Sequence, residues 1–247
     1  ISVLEAIGRA GDVPDVAGRQ RKSAQAFHEL VQRIFSLPEA PVGPILREVV
    51  EGAWVETTVR GDPTLEPVCV EAARRLVARG AELITSSCGF LIRHQDAVSA
   101  AVPVPVVLSS LILVPSVLRS LPRAASLAVL TYDSRCLTPD LLGVPDDADR
   151  ARVVVAGVEG GTYWHNELAR PPVPTDPDVH EAEVLGCLAQ ARTATPSIAA
   201  VLLECAGFPP FAQAIRRTTG LPVYDIIDLC RLALGGVGAW ASGAAAI

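Results

Sequence analysis

Beyond a polar stretch covering roughly the first 30 residues, short uninterrupted apolar runs alternate with longer segments whose apolar residues recur every three or four positions. This alternation is the mark of an α/β fold with largely parallel sheets, because strands buried on both faces read as continuous apolar runs and the intervening helices bury one stripe. The pattern predicts strands over residues 54–59, 81–86, 104–108, 126–131, 153–158, 198–203 and 221–224. Helices are predicted over 65–79, 90–101, 112–121, 178–194 and 210–219, and residues 1–30 read as a polar, partly helical extension. Residues 97–118 carry no charge and approach the length of a membrane span, but Pro103, Pro105 and Pro115 would break such a helix, so a buried strand with flanking loops is expected.

An internal repeat sharpens this picture. ELITSSCGF, a helix-like stretch and PVPVVLSS in the first half correspond to AVLLECAGF, another helix-like stretch and GLPVYDII in the second. A Gly and a Phe trail each cysteine, and Cys88 to Pro105 and Cys205 to Pro222 are both 17 residues. Each copy is a strand, a cysteine turn, a helix and a strand. In open parallel sheets ligands collect beyond the carboxyl ends of strands, which is where both cysteines fall. Each also stands at or just before a helix start, where free backbone N–H groups favour a thiolate. Pro209 and Pro210 suit the first turn of the second helix and Gly220 its end.

Composition narrows the chemistry. Lys and Arg total 21 against 27 Asp and Glu, with no basic block, so nucleic acid is not an expected partner. Six scattered cysteines in a chain of 247 residues fit reduced thiols in a cytoplasmic protein better than a disulfide framework. Cys69, Cys187 and Cys230 read as core, and Cys136, in the turn TYDSRCLTP after a strand, is open between a plain turn residue and a lining residue of the site. Neither the cysteines nor the four histidines show metal-ligand spacing, so no metal is expected. Early charges at Glu5, Arg9 and Asp12 speak against a secretory signal.

Two like thiols on repeated modules suit a two-base proton transfer: one removes a proton from one face of an acidic Cα, the other returns it to the opposite face. Lys22, in the polar extension, is badly placed for a pyridoxal Schiff base, so no cofactor is expected. Around Cys88 and Cys205, the expected substrate-binding residues are Ser87, Gly89, Phe90, Ser109, Thr131, Ala206 and Gly207, with backbone N–H groups of both turns holding an anion or carbonyl. Ser86 and Ser110 read as backbone-satisfying residues, Tyr132 and Asp133 as turn formers, and His94 as a solvated helix residue. Glu204 could face the substrate or support its turn, since neighbours in a strand point to opposite faces.

SSCGF and LECAGFPPF, with the following SSLILVP, AVLTYDS and LPVYDIIDL, resemble the paired cysteine motifs of the aspartate/glutamate/hydantoin racemase superfamily over roughly residues 34–232. The resemblance implies two pseudo-symmetric αβα lobes with the active site in the cleft between them, no cofactor, and a small-molecule substrate; it leaves room for a homo-oligomer. It divides the chain into an extension (1–30), a lobe carrying Cys88 (31–107 with 225–247) and a lobe carrying Cys205 (108–224). The Gly/Pro-rich stretch Pro41, Val42, Gly43 and Pro44 corresponds to a site-covering loop in that superfamily.

In amino-acid racemases of the superfamily, hydroxyl and amide side chains follow the cysteines; here Gly89, Phe90, Ala206 and Gly207 do. Cys-Ala-Gly is closer to hydantoin-racemase-like members. The expected function is therefore a cofactor-independent racemase or epimerase, an isomerase acting on an amino acid derivative or hydantoin-like ring. The alternatives are a decarboxylase or cis-trans isomerase of the same superfamily, with the second cysteine speaking against a single-cysteine decarboxylase, or a non-catalytic small-molecule binding protein.

Overall fold

The computed structural model describes residues 3–8 and 45–237. These divide into two compact units: one made of the described residues up to Ser109 together with those from Ile227 onward, the other of Ser110–Ile226.

The first unit is built on β1 (Val3–Gly8), β2 (Ile45–Val49), β3 (Ala81–Ser86) and β4 (Val106–Val107), in the sheet order β2-β1-β3-β4. β1 runs antiparallel to both neighbours, and β3 pairs parallel with β4 through Ile84↔Val106 and Thr85↔Val107. Helix α1 (Val55–Arg60) precedes α2 (Leu65–Ala78), which buries Leu65, Cys69, Ala72, Ala73 and Leu76, a single stripe at helical spacing. This stripe packs into a core with Leu4, Ala6, Leu46, Ile84, Val106 and Leu108. Cys69 is fully buried there, and burial pushes its thiol up to about 12, so it is an inert core residue. Leu76 is fully buried among these side chains. Leu76→Ala should cost about 2–5 kcal/mol, read as a lower urea midpoint at unchanged slope.

The second unit carries the wholly parallel sheet β6-β5-β7-β8, from β5 (Ser126–Thr131), β6 (Val153–Gly157), β7 (Ile198–Leu203) and β8 (Val223–Tyr224). Every residue of central β5 is buried, as a parallel strand covered on both faces requires. Its longer helices are α4 (Val114–Ser120), α6 (Thr162–Leu168), α7 (Pro177–Ala194) and α8 (Ala212–Thr219); α5 (Asp147–Arg150) is a single turn. α3 (Gln95–Ala101) and α9 (Ile226–Val237) complete the order.

Several expectations are corrected. Residues 54–59 are not a strand: their alternating, β-branched pattern is overridden by a tight helix. Thr57 Oγ1 lies 2.8 and 2.9 Å from the Gly52 and Trp54 carbonyls, and Gly61, at φ 75°, closes the helix with N–H bonds to Thr57 and Thr58. Part of the 1–30 extension is strand β1, whose pairing with β2 and β3 depends on residues distant in sequence. The expected helix over 90–101 is a 3₁₀ turn (Gly89–His94) running into α3. Within 97–118 the buried strand is present as β4, but helices α3 and α4 flank it. No described helix is long and apolar enough to cross a membrane. The Pro41 to Pro44 loop lies outside the described residues.

Candidate active site around the cysteine turns

Each cysteine turn is a product of its parallel strand pair. In the first unit, β3 and β4 end side by side, and the Ser86 hydroxyl donates to the Leu108 carbonyl at 2.6 Å while the Cys88 N–H donates to Ser86 Oγ at 3.3 Å. Cys88 is extended (φ −145°, ψ 116°), and its carbonyl accepts the Leu91 N–H that opens the 3₁₀ turn. Cys88 and Ser87 are half-buried, whereas Gly89, Phe90 and Ser109 are buried, Phe90 at 1% exposure. This small group stands together at one strand end. His94 corrects its reading as a solvated residue: it is 4% exposed, and burial lowers its pKa below the ordinary histidine value.

In the second unit β5 and β7 end together through Leu130↔Leu203, and Ser110 donates to the Leu203 carbonyl at 2.7 Å. Cys205 is half-buried, with Ala206 and Gly207 buried behind it. Glu204 supports the strand ends. Its Oε2 accepts the Thr131 hydroxyl at 2.7 Å, and its carboxyl, 2% exposed, is pushed up to about 7 by burial, against the lowering effect of Thr131 and the Tyr132 N–H. Glu204 Oε1 is buried without a hydrogen-bond partner among the described residues. Thr131 therefore spends its hydroxyl on Glu204, inside the sheet.

One side-chain partner of the Cys205 sulfur came from no sequence motif. Tyr163 Oη, on α6, lies 3.7 Å from Cys205 Sγ. His180, on α7, stacks on the Tyr163 ring at 3.7 Å and meets Phe211 edge-on at 4.7 Å, while Phe208 lies 6.1 Å from Tyr163. Glu183, also on α7, accepts the Thr162 and Tyr163 N–H groups at the start of α6. A GGTYWHNEL stretch after a strand offered a helix-start signal, but nothing local says which strand end that helix faces.

The remaining cysteines are unlike these two. Cys230 is fully buried; Cys187, expected in the core, is half-buried, donates to the Gly157 carbonyl at 3.3 Å and is pushed up to about 11 by burial. Cys136 is half-buried in the turn that Asp133 closes by accepting the Arg135 N–H. Among the described residues no three His, Cys, Asp or Glu side chains group as metal ligands.

No protein-family model matches the chain. Among solved structures, it is similar to an allantoin racemase from Pseudomonas fluorescens (TM-score 0.53, 18% identity, covering 87% of this chain and 88% of that one). It is also similar to a glutamate racemase from Francisella tularensis (TM-score 0.51, 13% identity, 79% of this chain and 69% of that one). These likenesses establish the fold. In sequence it is 35% identical over 210 residues to a dimethylsulfoniopropionate lyase from Durusdinium sp. clade D, covering 81% of this chain and 68% of that protein. It is 31% identical over 172 residues to dimethylsulfoniopropionate lyase 5 from Emiliania huxleyi, covering 64% of this chain; the chain spans only 34% of that relative's length.

The relatives overturn the isomerase expectation, since they are lyases and not racemases. The physical reason is that two thiols at strand ends do not mark which bond a substrate breaks once an acidic proton has left, so the thiol pattern is as compatible with elimination as with racemisation. With 35% identity across most of its length, the chain belongs to the dimethylsulfoniopropionate lyase family, on the fold of the aspartate/glutamate/hydantoin racemase superfamily.

Proposed function

We propose that this protein is a lyase that cleaves dimethylsulfoniopropionate to dimethyl sulfide and acrylate. The observation that carries the reading is the 35% identity over 81% of the chain to a lyase of that name. In the reaction a base takes a proton from the carbon next to the carboxylate, the electron pair forms the C=C bond, and the Cβ–S bond breaks with its electrons passing to sulfur. The neutral sulfide leaves and one proton is released. No oxidant, reductant or second substrate enters the balance.

Cys205 serves as the base and Cys88 as the second thiol that meets the substrate. The sulfonium is a good leaving group, so the carbanion collapses by elimination before a second thiol can reprotonate it. Short, uncharged residues in both turns, Ser87 and Gly89 in one and Ala206 in the other, carry no side-chain charge for the substrate carboxylate and leave its binding to backbone N–H groups. Phe90 and Ser109 shape the first turn. The internal repeat supports reading the two units as pseudo-symmetric modules. Purified protein incubated with dimethylsulfoniopropionate should release dimethyl sulfide into the headspace and leave one equivalent of acrylate by proton NMR. Recovery of unchanged substrate from a folded, reduced sample would refute the assignment.

A further inference from the structure

We infer that Tyr163 is a positioning residue for the Cys205 base, its phenol donating a hydrogen bond to the sulfur and holding it as the thiolate. The inference deepens the proposed reading, on which it rests for the identity of the base. Three observations carry it. First, Tyr163 Oη is 3.7 Å from Cys205 Sγ, a hydrogen-bond distance for sulfur. Sulfur is a poor acceptor as a thiol and a strong one when ionised, so a donor at this place favours the charged form.

Second, the ring has little freedom to turn away. Tyr163 is 5% exposed, stacked on His180 at an interplanar angle of 17° and met edge-on by Tyr132 at 5.9 Å. The start of its helix is held by Glu183. Third, Gly207 makes room for the hydroxyl: a Cβ at this position would stand 2.5 Å from Tyr163 Oη. The glycine of the Cys-Ala-Gly triplet thus acts through Tyr163, rather than as the substrate contact expected from its place in the motif.

The phenol itself stays protonated. Burial first, then the nearby Cys205, pushes Tyr163 well above the ordinary tyrosine pKa, so it remains a donor throughout the working range. Among the described residues, titratable groups around the pair include Glu167 on α6, pushed up to about 7 by burial, His180 and Glu183 on α7, Tyr132 beyond β5, and Glu204 beside the cysteine. Glu167 and Tyr163 lie on the same helix, and ionisation of Glu167 opposes the thiolate, so the hydrogen bond works against that charge.

The test is the pH dependence of iodoacetamide alkylation at Cys205, followed by peptide mass spectrometry on the whole chain without substrate. In Tyr163→Phe the alkylation midpoint should move up by about one pH unit, with about tenfold slower labelling below it. The Cys88 midpoint should stay in place, and the acid limb of dimethyl sulfide release should move with Cys205. Gly207→Ala, which crowds the hydroxyl off the sulfur, should shift the Cys205 midpoint in the same direction and provides the reading if the phenylalanine variant does not fold. Midpoints overlaying wild type in a folded variant would overturn the inference. Because labelling needs no substrate, a shifted midpoint without sulfide release would sink the lyase reading alone, and normal release with overlaid midpoints would sink the role of Tyr163 alone.

Discussion

Cys205→Ala is expected to lower dimethyl sulfide release by about 10²–10⁴-fold, the usual loss when a positioned general base is removed. The expectation follows from where the thiol sits: at the end of a strand whose neighbour is fixed by Leu130↔Leu203, with a protonated phenol 3.7 Å away. Cys187→Ala is the matched control. Its thiol is pushed up by burial and donates to a backbone carbonyl in the same unit, so its loss should leave turnover within about threefold while costing some stability. Rates should be measured as initial headspace sulfide against substrate concentration, with circular dichroism to show that both variants are folded. If Cys205→Ala kept more than a tenth of the wild-type kcat/KM, the base would have to be another group. Cys88→Ala, compared in the same assay, separates the second thiol's contribution from that of the base.

The second large effect concerns stability. The Glu204 carboxyl goes from an ordinary 4.5 to about 7 in the fold, mainly through burial. Between these values the native state keeps a proton that the unfolded chain has released. Stability is therefore favoured below about pH 4.5 and lost as pH rises through 7, by about 3 kcal/mol in total. Glu204→Gln keeps the shape and an acceptor for Thr131 but cannot ionise. Urea denaturation from pH 5 to pH 8 should show wild type losing stability relative to the glutamine variant, with the gap widening up to about pH 7 and levelling off above it. Parallel curves across that range would show that Glu204 does not carry a proton in the fold. Because Glu204 adjoins Cys205 and holds Thr131, some of this loss should also appear as looser positioning of the base at high pH.

The elements that were legible in the sequence are those whose neighbours are mostly their own: the buried runs at 81–86, 126–131 and 198–203 are strands β3, β5 and β7 with unchanged limits. The helix over 65–79 is α2, ending one residue earlier. Residues 54–59 read as strand because β-branched threonines and valines favour extended backbone, whereas in the fold the Thr57 hydroxyl finds the Gly52 and Trp54 carbonyls and the segment closes as a helix. β1 was missed because its register depends on residues 46 and 82 positions away, Val3 on Val49 and Leu4 on Ser86. The function was misread for another reason. A thiol pair is as compatible with elimination as with racemisation, and the chain's own pattern carries no mark of a leaving group; the lyase reading rests on similarity to named lyases.

The sequence by itself determined the α/β class, the strand-cysteine-helix-strand repeat with its two 17-residue spacings, and the location of both thiols at strand ends. Those are local consequences of apolar periodicity and turn chemistry, written within windows of about 20 residues. Only the tertiary structure decided which side chains surround the Cys205 sulfur. Tyr163 reaches it across 42 residues, and Glu204 meets Thr131 across 73, because parallel pairing of β5 with β7 and the packing of α6 on α7 bring those positions together. Such neighbours are set by crossovers and packing, and crossovers leave no periodicity in the chain.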